Sequence, residues 1–118
     1  MKLTNLLSKN HALIQWQREQ NKITRTLFTG IQGTIKTLLM ATAFDHQPDK
    51  YIIITDNQYH ASELYNDLSE FVGEEKVFQY FSDDNIFAEY AVASKERLAY
   101  RLDALSFLQN KQADGFLI

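Results

Sequence analysis

The segment at residues 27–37, LFTGIQGTIKT, constrains the fold more than any other stretch of the chain. It departs at one position from the phosphate-binding pattern G-x-x-x-x-G-K-[ST], which joins a strand to a helix. Gly30, Lys36 and Thr37 stand at matching positions, and Ile35 stands where the pattern has its second glycine. That glycine lets successive backbone N–H groups turn towards a phosphate, in a conformation that a β-branched residue resists. The segment therefore predicts a nucleotide-binding scaffold with a degenerate phosphate loop.

Alternating helix and strand patterns run along the whole chain. Strands are predicted at residues 23–29, 51–55, 77–81 and 115–118. Helices are predicted within residues 1–20 and across residues 38–44, the second with an end near Pro48. A third helix is predicted from an N-cap at Asp56 or Asn57 to Gly73. A fourth is predicted from Ser94, and four leucines lie on one of its faces: Leu98, Leu102, Leu105 and Leu108. Such alternation with short connections predicts a single α/β domain over residues 1–118, in which a parallel sheet is flanked by helices and residues 1–20 form a leading helix.

Two apolar runs set expectations for the sheet. The run YIIIT at residues 51–55 is typical of a strand that is covered on both faces of a parallel sheet. The run GFLI at residues 115–118 indicates the opening of another buried strand. Because the chain stops inside that run, we expect a fragment of a longer protein with an exposed sheet edge at residues 116–118.

Composition excludes several kinds of site. The net charge of −3 gives no support for autonomous DNA binding, which usually relies on a basic excess. The chain has no cysteine, and His11, His46 and His60 lie far apart without a carboxylate at ligand spacing, so no metal site is expected. No serine lies in a G-x-S-x-G elbow, and no catalytic residue is predicted. Neither a signal peptide nor a membrane span is visible, which favours the cytoplasm.

The loop itself allows two interpretations. In a working loop, Lys36 would contact the β- and γ-phosphates and Thr37 would ligate magnesium. Alternatively, Gly30 and Gly33 serve a tight turn and Lys36 is solvated. The second interpretation is favoured, because both the second glycine and a convincing acidic partner for magnesium are missing.

An acidic pair follows the strand predicted at residues 77–81. Asp83 and Asp84 could imitate the carboxylate that binds magnesium at a strand end. Ser82 intervenes, however, and no glutamate follows that could activate water. A solvated loop with a helix-capping role is therefore the favoured interpretation.

The loop at residues 82–93 and the following helix supply the interface candidates. Phe87 and Tyr90 either fold back on the sheet, which is favoured, or await another domain. Lys95 and Arg101 belong to a helix face of mixed charge, which usually keeps a helix solvated. The less favoured use of these two side chains is contact with a protein partner or a phosphate backbone.

Three blocks of sequence carry a resemblance to a known family. These are GIQGTIKTLLMATAF at residues 30–44, YIIITDNQYHASELYNDLSEF at residues 51–71, and FSDDNIFAEYAVASKERLAYRLDAL at residues 81–105. In their order and spacing, they resemble the N-terminal segment of bacterial transcription-repair coupling factors (Mfd). That segment is similar to subdomain 1a of the excision-repair helicase subunit UvrB, which implies a RecA-like, P-loop NTPase-like fold with a degenerate phosphate loop. The loop at residues 82–93 is too short for the DNA-probing hairpin of UvrB.

The resemblance also implies a function for a longer parent protein. Members of that family displace stalled RNA polymerase at DNA lesions by ATP-driven translocation and recruit UvrA. Their motor, with its ATP and magnesium, lies outside these residues, so no cofactor is expected here. The partners would be other domains of the same chain, with UvrA, RNA polymerase and DNA reached through the parent. The rival hypotheses are a fragment of an active P-loop NTPase or helicase with nucleotide bound at residues 30–37, and a stand-alone adaptor domain.

Overall fold

The computed structural model describes residues 4–7, 9–19, 22, 25–82 and 95–118. The chain divides into two compact units, residues 1–48 and residues 49–118. The single domain expected over residues 1–118 stays a prediction. Within the described part of the chain, no helix has both the length and the apolar character that crossing a bilayer requires.

Among the described residues of the first unit, the regular elements are helices. The helices are α1 (Thr4–Leu7), α2 (His11–Glu19) and α3 (Thr34–His46). The leading helix predicted within residues 1–20 is thus divided in two, because Asn10 starts a new helix: its side-chain Oδ1 accepts a hydrogen bond from the Ala12 backbone N–H at 3.0 Å. The helix predicted across residues 38–44 is confirmed by α3.

The strand predicted at residues 23–29 is wrong over its described part. Residues 25–29 form neither helix nor strand, and the side chain of Leu27 is 86% exposed. The rings of Phe28 and Trp16 pack in a T-shaped arrangement, with ring centroids 5.2 Å apart and ring planes at 82°. Strand propensity depends on the neighbours that a strand packs and pairs with, so β-branched and aromatic residues alone do not make a strand.

Residues 49–118 form a parallel α/β arrangement, which confirms the predicted fold class. The strands β1 (Lys50–Ile52), β2 (Val77–Phe78) and β3 (Gly115–Leu117) lie in the order β1-β3-β2, and both pairings are parallel. The connecting elements are α4 (Gln58–Val72), a short 3-10 turn (Glu74–Lys76) and α5 (Lys95–Gln109). The RecA-like assignment is finer than this three-stranded sheet and stays a prediction.

Helix α4 begins and ends where the sequence predicts. Asn57 is the N-cap, and its side-chain oxygen accepts a hydrogen bond from the His60 backbone N–H at 2.9 Å. Gly73 is the C-cap with φ of +98°, a conformation that glycine adopts without steric cost. The buried residues Ala61 and Leu68 lie seven positions apart, as expected for one face of a helix.

Strand β3 lies in the middle of the sheet, so the exposed edge expected at residues 116–118 is wrong. Phe116 is 1% exposed and its ring lies 5.4 Å from that of Tyr51 on β1. On the other face of the sheet, Leu117 packs with Ala104 and Phe107 of α5. Strand order depends on which segments pair in three dimensions, and the apolar run did not contain that information.

Two apolar stretches of the sequence are exposed. Helix α5 turns Ala104 and Phe107 towards the core, and the side chains that the sequence placed on one face of the helix are open to solvent: Leu98, Leu102, Leu105 and Leu108. On β1, Ile52 is 65% exposed, and beyond its end Ile54 is 92% exposed. The strand predicted at residues 51–55 is therefore observed as the shorter β1, and it is not covered on both faces.

Candidate functional sites

The glycine-containing loop has the backbone of a turn. Gly30 has φ of +73° and Gly33 has φ of +58°, conformations that L-residues with a side chain rarely adopt. No atom lies within 4 Å of a Cβ built at either glycine, so the loop surface around both is open. Gly33 is the N-cap of α3 and provides no side-chain hydrogen bond to the first turn. The first backbone N–H groups of α3 consequently lack a side-chain cap from this residue.

The residues that would contact a nucleotide lie on α3. Ile35 is 55% exposed in the first turn, and no described residue other than glycine has a positive φ. Ile35 is therefore an unstrained helical residue at the position where the phosphate-binding pattern needs a flexible one. The Lys36 side chain is exposed, while its backbone N–H donates a hydrogen bond to the Gly33 carbonyl at 3.1 Å. Thr37 is only 2% exposed, so its side chain is shielded from solvent.

The loop also lacks its expected context. A working phosphate loop follows a strand, whereas residues 25–29 are irregular. For binding a ligand, the arrangement provides the exposed Lys36 side chain next to the N-terminus of α3, whereas the Thr37 side chain is buried. The assignments of Gly30, Gly33, Lys36 and Thr37 to a silent phosphate loop stay predictions.

The interface candidates divide into three groups. Phe87 and Tyr90 lie outside the described residues, as does the acidic pair at residues 83–84. Lys95 is exposed at the start of α5. Arg101 has an internal role: its guanidinium Nε and Nη2 donate to the Phe81 carbonyl at 2.9 and 2.7 Å.

Arg101 thus connects α5 to the segment that follows β2, through its hydrogen bonds to the Phe81 carbonyl. Its guanidinium carbon also lies 5.3 Å from the centre of the Tyr80 ring, a cation–π distance. The sequence did not show that Arg101 has an internal partner and Lys95 is exposed, because a backbone carbonyl that accepts a hydrogen bond carries no sequence signature.

A cavity of about 630 Å³ lies at the carboxyl ends of the three strands. Ligands of parallel α/β sheets commonly bind at this edge. Polar residues that follow β1 and β2 line the cavity together with aliphatic residues. The polar residues are Thr55, Asp56, Asn57, Gln58 and Ser82, and the aliphatic residues are Ile52, Ile53, Ile54, Leu105, Leu108, Leu117 and Ile118.

Asp56, which lines this cavity, forms a pair with His60 that was not predicted from the sequence. The His60 Nδ1 and the Asp56 Oδ1 are 2.6 Å apart, so the imidazole N–H donates to the carboxylate. This hydrogen bond lowers the pKa of Asp56. The sequence-based prediction concerned metal ligands only, and it did not include this hydrogen bond between His60 and Asp56. The sequence signal for this pair is the spacing of four residues between Asp56 and His60, which lie on either side of the N-cap Asn57.

The pair does not by itself make a metal site. Both side chains are exposed, at 71% for Asp56 and 53% for His60. Across the described residues, no group of three or more histidine, aspartate or glutamate side chains could hold a metal ion. The carboxylate can orient the imidazole, which is a positioning effect.

Comparisons with known proteins identify relatives of the chain. No protein-family model matches it, and no solved structure gives a significant match. A curated "Transcription-repair-coupling factor" from Staphylococcus aureus (strain USA300) is 26% identical over 93 residues, which are 79% of this chain and 8% of that protein. The protein of the same name from Bacillus subtilis (strain 168) is 30% identical over 87 residues, which are 74% of this chain and 7% of that protein.

The chain thus spans about 8% of the length of the curated relatives it matches. A third relative, from Staphylococcus aureus (strain MRSA252), is 27% identical over the same share of both chains. The resemblance seen in the sequence is confirmed at this level: over about three quarters of its length, the chain is homologous to a short segment of transcription-repair-coupling factors.

Proposed function

We propose that this chain is a non-catalytic scaffold segment of a transcription-repair coupling factor. The longer protein would displace stalled RNA polymerase at DNA lesions in the cytoplasm and recruit UvrA. Homology to a segment of such factors supports the parent's identity. The observation that supports catalytic silence is the state of α3, where Ile35 is helical at the required glycine position and Thr37 is 2% exposed.

The mechanism proposed for the segment is steric. It packs against other domains of the same polypeptide and holds a partner-binding face out of reach until the parent changes conformation. ATP and magnesium would act in the motor, and DNA, RNA polymerase and UvrA would be contacted through the parent. The net charge of −3 is consistent with a segment that does not hold DNA by itself.

A nucleotide titration tests the silence. Calorimetry of the chain with ATP and magnesium is expected to give no saturable heat, because Ile35 replaces the second glycine and the described residues 25–29 before the loop are irregular. Lys36→Ala should behave identically. A micromolar dissociation constant that disappears in Lys36→Ala would overturn the proposal and favour the rival, an active P-loop NTPase fragment.

Ile35→Gly is the matched variant, because it completes the pattern G-x-x-x-x-G-K-T with a single change. Binding regained in Ile35→Gly would show that this one side chain silences the loop. Continued absence of binding would show that the irregular segment before Gly30 and the burial of Thr37 also prevent it.

Removal of the segment from the full-length factor tests the scaffold role. If the segment restrains the motor, its removal should raise the basal ATPase rate several-fold. An unchanged rate would contradict the restraint while leaving the homology intact. A reading frame that encodes only these residues would instead favour the stand-alone adaptor.

A further inference from the structure

One face of residues 49–118 is aliphatic and exposed. On α5, Leu98 is 55% exposed, Leu102 is 56% exposed and Leu105 is 45% exposed. Their spacing of four and three residues aligns them in one row along the helix. This row is distinct from the buried contacts of α5, which are made by Ala104 and Phe107.

The row continues onto the sheet. Ile52 is paired in register with Leu117, and Leu117 packs against α5, so Ile52 lies on the same side of the sheet as that helix. Leu105 and Leu108 line the same cavity as Ile52 and Ile54. We call these six residues the aliphatic face: Ile52, Ile54, Leu98, Leu102, Leu105 and Leu108. None of them carries a charge, and exposed apolar groups of this extent mark interaction sites.

We propose that the aliphatic face receives an amphipathic helix from another region of the same polypeptide. The inference rests on the proposed function, in which the chain is a segment of a much longer factor. A helix suits the face because the row of Leu98, Leu102 and Leu105 is a ridge of the kind that packs into the groove of another helix.

An occupant from the same polypeptide is favoured over a second copy of this chain. The aligned relatives are far longer than the chain, which corresponds to 8% of the Staphylococcus aureus protein. A helix tethered in the same molecule has an effective concentration in the millimolar range. That concentration exceeds what separate copies of a cellular protein reach, so the tethered helix binds first.

Thiol labelling tests the proposal, because the chain contains no cysteine of its own. Leu102→Cys places a probe on the aliphatic face, and Asp103→Cys is the matched control, exposed and about 100° around the same helix. Each variant is labelled with a maleimide both as the 118-residue chain and within the full-length factor, and site-resolved mass spectrometry gives the rates. Circular dichroism confirms that each variant is folded.

The expected result is a rate for Leu102→Cys at least tenfold lower in the full-length factor than in the chain, with Asp103→Cys changed less than twofold. Equal rates for Leu102→Cys in both proteins would overturn the proposal. Protection in the chain that grows with its concentration would identify a second copy as the occupant, and protection at every concentration would identify the chain's own residues. Both outcomes overturn the proposal, and neither affects the ATP titration, which tests the proposed function independently.

Discussion

Residues 1–48 and residues 49–118 are stabilised by hydrogen bonds of different range. In the first unit, the described backbone hydrogen bonds outside helices join residues three or four positions apart, such as Lys36 to Gly33. In the second unit, Ile53 donates to Leu117 at 2.8 Å and Tyr80 donates to Ile118 at 2.8 Å. The difference teaches that backbone hydrogen bonds join distant segments in the sheet, whereas in the first unit the distant contacts are made by side chains, such as Trp16 with Phe28.

Side chains strengthen the long-range character of residues 49–118. The Lys50 ammonium donates to the carbonyl of Leu108 at 2.9 Å and also to that of Asn110, so it caps the C-terminal end of α5. Lys76 pairs with Asp114 across the chain segments that enter β2 and β3. Strands β2 and β3 are thereby connected by backbone pairing and by a side-chain ion pair.

Truncation of an aromatic ring should give the largest contrast between the units. Phe107 is 4% exposed and its ring stacks on Phe78 at 4.5 Å, so Phe107→Ala should lower the free energy of unfolding by about 3–5 kcal/mol. Phe28 is 38% exposed, so Phe28→Ala should cost about 1–2 kcal/mol. Urea denaturation followed by circular dichroism measures both. Equal losses would break the comparison.

Glycine substitution sharpens the same contrast. Gly115 has φ of +149° in the central strand, and a Cβ there would overlap the carbonyl oxygen of Lys76, so Gly115→Ala should cost about 3 kcal/mol. Gly30→Ala meets no neighbour within 4 Å and carries only the strain of φ at +73°, about 1 kcal/mol. Thermal melts of both variants give the ranking, and a Gly30→Ala loss as large as that of Gly115→Ala would contradict it.

Loss of the α4 cap should have a smaller effect. Asn57→Ala removes the acceptor of the His60 N–H and should lower stability by about 1 kcal/mol. Amide hydrogen exchange should accelerate most in the first turn of α4. Unchanged protection in that turn would show that tertiary contacts, and not the cap, stabilise it.

The smallest expected effect is a pH dependence at the rim of the cavity. The hydrogen bond from His60 lowers the pKa of Asp56 below its ordinary value in the folded state. The resulting stability is present above the unfolded-state pKa, about 4, and is lost as pH falls through the lowered folded value. NMR titration of the Asp56 carboxyl carbon measures this directly, and Asp56→Asn should flatten the acid limb of the Tm profile slightly. A carboxyl that titrates at its ordinary pKa would contradict the pairing.

Parts of the fold were predictable because their signals are local. An N-cap at Asp56 or Asn57, the glycine at residue 73 and the apolar period between them together predicted α4, and each acts within one or two helical turns. The alternation of helices and strands predicted a parallel α/β class for residues 1–118, and residues 49–118 show that class. The same reasoning failed at residues 25–29, because strand-forming residues need a pairing partner.

The candidate sites were harder to predict, since they depend on which side of an element faces outward. The sequence placed the leucines of α5 on one face of the helix, yet Ala104 and Phe107 contact the core and the leucines remain exposed. Lys95 and Arg101 looked equivalent in sequence, yet Arg101 binds the Phe81 carbonyl. In both cases the deciding contact is made by a residue far along the chain.

By itself, the sequence determined the parallel α/β class that residues 49–118 show, the bounds of α4 and the family resemblance, because capping, periodicity and local order act over short stretches of chain. Only the tertiary structure decided that β3 lies between β1 and β2, that Thr37 is shielded while Ile35 is not, and that the aliphatic face is open. These properties follow from contacts between distant segments, whose free energies depend on packing geometry and not on the composition of either segment alone.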